Sequence, residues 1–127
     1  MSDLNRRILV VEDDPDGMEV INNLLTLSGI GVESAGTVRD AWRKLSVGLP
    51  FQAAIIDVAL PDDDGINLLK EIRATEKLKQ MQVIIVTAFH SSLVKKQALE
   101  AGCDFYMTKP INVEVLAVEV QRMLNML

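Results

Sequence analysis

The feature that most constrains this chain is an alternation. Short, unbroken apolar runs take turns with longer stretches of helical periodicity, five times over. The runs are residues 8–11, 32–35, 53–57, 83–87 and 105–107. Two of them, Ile-Leu-Val-Val and Val-Ile-Ile-Val, are continuous and rich in β-branched side chains, the pattern of strands covered on both faces. Such strands belong to parallel sheets, and parallel neighbours need crossover connections, usually helices. The second run, Val32-Glu33-Ser34-Ala35, is more polar and suits an edge. The expectation is one doubly wound α/β domain spanning residues 1–127, flavodoxin-like, with five parallel strands in the order 2-1-3-4-5 and five helices.

The helical segments carry their own punctuation. Residues 15–28 follow Asp14 as N-cap, with Pro15 at the first helical position and Gly29 as the stop. Thr37 and Asp40 resemble a capping box opening a helix that runs to Leu45. Further helices are expected over 66–75, over 91–101 with Gly102 at the end, and over 113–126. Projected at about 100° per residue, the last turns Val113, Ala117, Val120 and Leu124 toward the sheet. Val115, Val118 and Met126 then fall on the opposite side, as a strip for a dimer mate or an output domain.

In open parallel sheets the functional crevice lies outside the carboxyl ends of the strands. The residues due there are Glu12, Asp13 and Asp14 after the first strand, Asp57 at the third, Thr87 at the fourth, and Lys109-Pro110 after the fifth. Packed carboxylates repel and need a cation. An all-oxygen donor set suits a hard divalent ion, and Mg²⁺ is content with one or two carboxylates plus waters. Bound by Asp13 and Asp57, it would neutralise an incoming phosphoryl group, and Asp57 would act as nucleophile to form an acyl phosphate. Thr87 would donate a hydrogen bond to one phosphoryl oxygen and Lys109 would pair with another.

Charge and composition remove other classes. With 13 basic against 18 acidic residues, a net charge of -5, the chain's overall field does not attract nucleic acid. No apolar run is long enough to span a bilayer, and the first seven residues lack the apolar stretch of a secretory signal. The lone Cys103 forms no internal disulfide, so a cytoplasmic protein with reduced thiols is expected.

The segments Val-Val-Glu12-Asp13-Asp14-Pro, Ile-Ile-Asp57-Val-Ala-Leu-Pro61-Asp-Asp-Asp-Gly65, Val-Thr87-Ala88 and Tyr106-Met-Thr-Lys109-Pro110 resemble the receiver domains of two-component signalling, in order and over essentially the whole chain. The resemblance implies a phosphoprotein rather than an enzyme, with Asp57 taking its phosphoryl group from a phosphohistidine on a histidine kinase or phosphotransfer protein. It implies that Asp13, Asp57 and the backbone carbonyl of Ala59 bind Mg²⁺, with Glu12 reaching it through water. Thr87 and Tyr106 would form a switch pair acting on the face of helix four, strand five and helix five. The Lys109–Pro110 peptide would be cis, which is energetically accessible only before proline.

Plainer roles fit the remaining residues. Asp14 and Asp16 read as cap and first-turn acids, Asp62, Asp63 and Asp64 as a solvated loop before Gly65, and His90 as a surface loop residue. Trp42 and Cys103 read as packing or surface residues, and Phe89 as an apolar ring that would shield the acyl phosphate from water. Two rival activities on the same topology lack their parts. An aspartate-nucleophile phosphatase would carry an acid two residues beyond Asp57, where Ala59 stands, followed by Leu60. A flavin carrier would not place Glu-Asp-Asp where the flavin phosphate binds. The chain is either a single-domain regulator or a receiver cut from a hybrid kinase or multidomain regulator.

Overall fold

A computed structural model describes residues 6–48 and 50–125. Its elements are β1 (Arg7–Val11), α1 (Pro15–Leu27), β2 (Gly31–Ala35), α2 (Val38–Ser46), β3 (Ala53–Asp57), α3 (Gly65–Ala74), β4 (Gln82–Thr87), α4 (Ser92–Glu100), β5 (Phe105–Thr108) and α5 (Val113–Asn125). The sheet runs β2-β1-β3-β4-β5 with every pairing parallel, the expected order. The polar β2 is at one edge and β5 at the other.

Alternate strand residues feed two cores. Leu9, Val11, Ala54, Ile56, Val83 and Ile85 are buried with side chains of α2 and α3, including Ala41, Leu45, Leu68, Leu69 and Ile72. Ile8, Val10, Ala53, Ile55, Ile84 and Val86 face the other way, onto Ile21 and Leu25 of α1 and Leu116, Val120, Met123 and Leu124 of α5. Full burial of each such aliphatic side chain contributes about 1.5–3 kcal/mol.

Register carries the strand ends to a common edge. Val11 pairs with Ile56, Asp57 with Val86, and Thr87 with Thr108. Glu12, Asp57, Thr87 and Lys109 therefore sit at or one residue beyond adjacent strand ends.

The helix starts follow local chemistry. Asp14 accepts from the Gly17 N–H at 3.1 Å with Pro15 opening α1, Thr37 accepts from Asp40 N at 2.9 Å, and Ser91 accepts from Val94 N at 3.1 Å. Gly29 and Gly102 close α1 and α4 with φ of 76° and 99°, a region that side chains avoid.

At the amino edge of the sheet, Arg73 ties three segments together. Its Nε and Nη2 donate to the Gly102 carbonyl at 3.0 and 2.8 Å, and Nη1 donates to the Met81 carbonyl at 2.6 Å. Nη2 also meets Asp104 at 3.0 Å, and the Asp104 carboxylate accepts from Val83 N at 2.8 Å.

The face of α5 follows expectation at Val120 and Leu124 and departs from it at the margin. Leu116, Glu119, Val120, Met123 and Leu124 are buried, whereas Val113 is 44% exposed. The packed stripe is centred on Leu116 and Met123 rather than on Val113 and Ala117. Leu116, Val120, Met123 and Leu124 fall on one apolar arc in projection, and packing in the second core turns that arc so that Leu116 and Met123 lie at its centre while Val113 is left at its exposed margin. Val115 and Val118 point to solvent, and Met126 lies outside the described residues.

Candidate functional site

At the carboxyl edge, Glu12 is 3% exposed, Asp57 5% and Thr87 0%, while Asp13 is exposed. Burying two carboxylates side by side is costly unless cations or donors meet them. Lys109 answers both, its Nζ lying 3.0 Å from Asp57 Oδ2 and 2.7 Å from Glu12 Oε1. Burial disfavours the lysine's charge, but its bonds to Glu12 and Asp57 outweigh that and raise its pKa above the ordinary lysine value. Glu12 is also raised, first by burial and then by its neighbour Asp57, against the lowering effect of Lys109. The other Asp57 oxygen, Oδ1, accepts from the Ala59 N–H at 3.2 Å.

The donor set fits a hard cation. Glu12, Asp13 and Asp57 each offer a carboxylate oxygen, all within 4.8 Å of one another. Glu12 Oε1 is buried 2.7 Å from Lys109 Nζ, and its Oε2 accepts from the Asp14 N–H at 3.1 Å. Oxygen-only ligands beside solvent suit Mg²⁺ with part of its water shell retained.

Thr87 Oγ1 accepts from the Phe89 N–H at 2.9 Å, which leaves its hydroxyl proton free to donate. Phe89 itself is 68% exposed. The Lys109–Pro110 peptide is cis. Tyr106 is half-buried, burial raises its pKa, and its hydroxyl lies 3.2 Å from His90 Nδ1 with ring centroids 5.8 Å apart. That pairing was invisible in the sequence, where His90 read as an isolated loop residue.

The three acids before Gly65 also do more than solvate a loop. Asp64 caps α3, accepting from Ile66 N at 2.6 Å and Asn67 N at 3.2 Å, and Asp63 accepts from Asn67 Nδ2 at 3.0 Å. Asp62 accepts from Val38 N at 2.9 Å and Arg39 N at 3.0 Å, at the start of α2. A helix-start acid is legible in "Asp64-Gly65", but a partner 24 residues away is not. Gly65 is required by proximity: a Cβ there would stand 2.0 Å from the Asp57 carbonyl oxygen.

This arrangement defines a class, the doubly wound α/β proteins with an acidic, lysine-paired pocket at the strand carboxyl ends. Within it, the chain belongs to the response regulator receiver domain family, whose model matches residues 8–121. It is 33% identical to the transcriptional regulatory protein GltR of Pseudomonas aeruginosa over 125 residues, covering 98% of this chain and 51% of that protein. It is 32% identical to a cyclic di-GMP phosphodiesterase of Thermotoga maritima, covering 93% of this chain and 31% of that one. Among solved structures, a response regulator receiver domain protein from Methanospirillum hungatei superposes with a TM-score of 0.87 at 31% identity, over 94% of each chain. The chain thus spans about half the length of the first of these curated relatives and about a third of the second. Among the described residues, no helix is long and apolar enough to cross a membrane.

Proposed function

We propose that this chain accepts a phosphoryl group on Asp57 from a phosphohistidine of a histidine kinase or phosphotransfer protein, in a Mg²⁺-dependent step, and relays the change to the face of α4, β5 and α5. The observation that carries this reading is the convergence of Glu12, Asp13 and Asp57 within 4.8 Å, with Lys109 3.0 Å from Asp57. Asp13, Asp57 and the Ala59 carbonyl would hold Mg²⁺, with Glu12 reaching it through water. When bound, the ion supplies positive charge opposite the incoming phosphoryl oxygens.

The chain's own residues do the rest. An Asp57 carboxylate oxygen attacks phosphorus as the P–N bond to the partner's imidazole breaks. The imidazole leaves with the bonding electrons and takes up a proton. Lys109 turns its ammonium from a carboxylate pair to a carboxylate and a phosphoryl oxygen, so its charge stays matched throughout. Thr87 donates its free hydroxyl proton to a second phosphoryl oxygen. That inward pull vacates space beside β4, and Tyr106 exchanges its contact with His90 for that space, altering the surface around β5.

Residues 1–127 act as one receiver module in this reading, in the cytoplasm with the donor. With Ala59 where a phosphatase would carry an acid, turnover of external phosphoesters is not expected. Output resides in a partner, a second copy, or further domains, as the half-length match to GltR favours. Intact-mass measurement with acetyl phosphate tests the core of the reading. One added phosphate that requires Mg²⁺ and disappears in Asp57→Asn is the expected result; equal labelling of the variant refutes it.

A further inference from the structure

A helix begins with backbone N–H groups that lack partners within it. In α2 these belong to Val38, Arg39 and Asp40, since Ala41 N already donates to the Thr37 carbonyl at 3.0 Å. Thr37 Oγ1 accepts from Asp40 N. The other two N–H groups are met by the two oxygens of one carboxylate, Asp62, at 2.9 and 3.0 Å. An anion at a helix start is favoured by the helix dipole as well as by the hydrogen bonds. The two bonds, Val38 first, hold the Asp62 carboxyl below its usual range.

Asp62 belongs to the loop that carries Ala59. An antiparallel bridge between Ala59 and Asp64 closes that loop into a small turn. Its base is fixed by the Gly65 N–H donating to the Val58 carbonyl at 2.8 Å and by Ala59 N donating to Asp57 Oδ1. Asp64 anchors the exit to α3. At the tip, Asp62 ties the loop to α2, while Asp63 accepts from Asn67 Nδ2 of α3 at 3.0 Å.

We infer that Asp62 is a positioning residue for the cation site: by bolting the loop tip to α2, it sets where the Ala59 carbonyl stands relative to Asp13 and Asp57. The inference rests on the reading of the site given above. Coupling of this kind is reciprocal, so occupancy of the cation site should in turn steady the start of α2.

The experiment is a Mg²⁺ titration of unphosphorylated protein followed by backbone amide NMR, with amide exchange at Val38 and Arg39 as a second readout. Wild type is compared with Asp62→Ala, Asp62→Asn and Thr37→Ala. Partners lying just outside a metal's ligands typically contribute 10–100-fold in affinity, and one carbonyl among several ligands puts Asp62→Ala at about tenfold weaker. Asp62→Asn, which keeps an oxygen for one of the two N–H groups, should fall between. Thr37→Ala removes the other cap of α2 without touching the loop, so it should leave Mg²⁺ affinity within about twofold while loosening α2. In wild type, Mg²⁺ should slow exchange at Val38 and Arg39. Unchanged affinity in Asp62→Ala, or an equal loss in Thr37→Ala, overturns the inference and leaves the site reading standing. A wild-type protein that binds no Mg²⁺ at these carboxylates overturns the site reading itself, and this inference with it.

Discussion

Replacing Gly65 by alanine probes how closely α3 is pressed against the reactive strand end. The backbone at Gly65 does not have positive φ, so the constraint is space rather than conformation. An added Cβ would lie 2.0 Å from the Asp57 carbonyl oxygen, 2.8 Å from Ile56 Cγ2 and 2.9 Å from the Asp57 carbonyl carbon. Side-chain Cβ atoms essentially never come within 3.0 Å of such neighbours, so the start of α3 must retreat by about 1 Å. Two of the three obstacles are backbone atoms of a central strand, which cannot turn aside as a side chain would. Overpacking typically costs about 1–3 kcal/mol, and rigid neighbours place this case near the top. Alanine recovers up to about 1 kcal/mol in helix propensity, less at a first-turn position. The net destabilisation is about 2–3 kcal/mol. With an unfolding entropy of about 2.1 cal/mol/K per residue over 127 residues, Tm should fall by roughly 9 °C. Thermal and urea unfolding followed by circular dichroism would measure it. A Tm within about 2 °C of wild type would refute the packing argument. Retreat of α3 also strains the Gly65–Val58 hydrogen bond at the base of the Ala59 loop, so Mg²⁺ affinity should drop as well. Normal affinity in a destabilised variant would mean that the helix yields while the strand end stays in place.

Two further substitutions separate scaffold from signalling. Arg73→Met removes the bonds to the Gly102 and Met81 carbonyls and to the Asp104 carboxylate, leaving each with fewer partners. It should cost about 2 kcal/mol in urea unfolding while labelling of Asp57 proceeds as in wild type; loss of labelling would show that this amino-edge clamp reaches the site. Thr87→Ala should still accept phosphate, yet the phosphate-dependent amide shifts around Tyr106 and His90 should shrink to a small fraction of those in wild type. Undiminished shifts would break the proposed link between the Thr87 hydroxyl and the tyrosine.

What sequence alone determined here is what local chemistry encodes. Continuous β-branched runs could only be doubly covered strands, and their alternation with amphipathic segments dictated a parallel sheet with crossover helices. Once those strands were laid side by side, Glu12, Asp57, Thr87 and Lys109 had to meet, because each ends or follows a strand. Helix starts at Asp14, Thr37 and Ser91 were legible too, since a cap lies within a few residues of the group it satisfies. Tertiary structure decided everything that depends on partners distant in the chain. Asp62 reaches α2 across 24 positions, Arg73 reaches Gly102 across 29, and His90 meets Tyr106 across 16, none at a spacing that any helix or strand period would mark. It also set how far around α5 the buried arc is turned. The apolar stripe of α5 was legible in projection, but its edges were not: packing in the second core buries Leu116 and Met123 and leaves Val113 at the exposed margin.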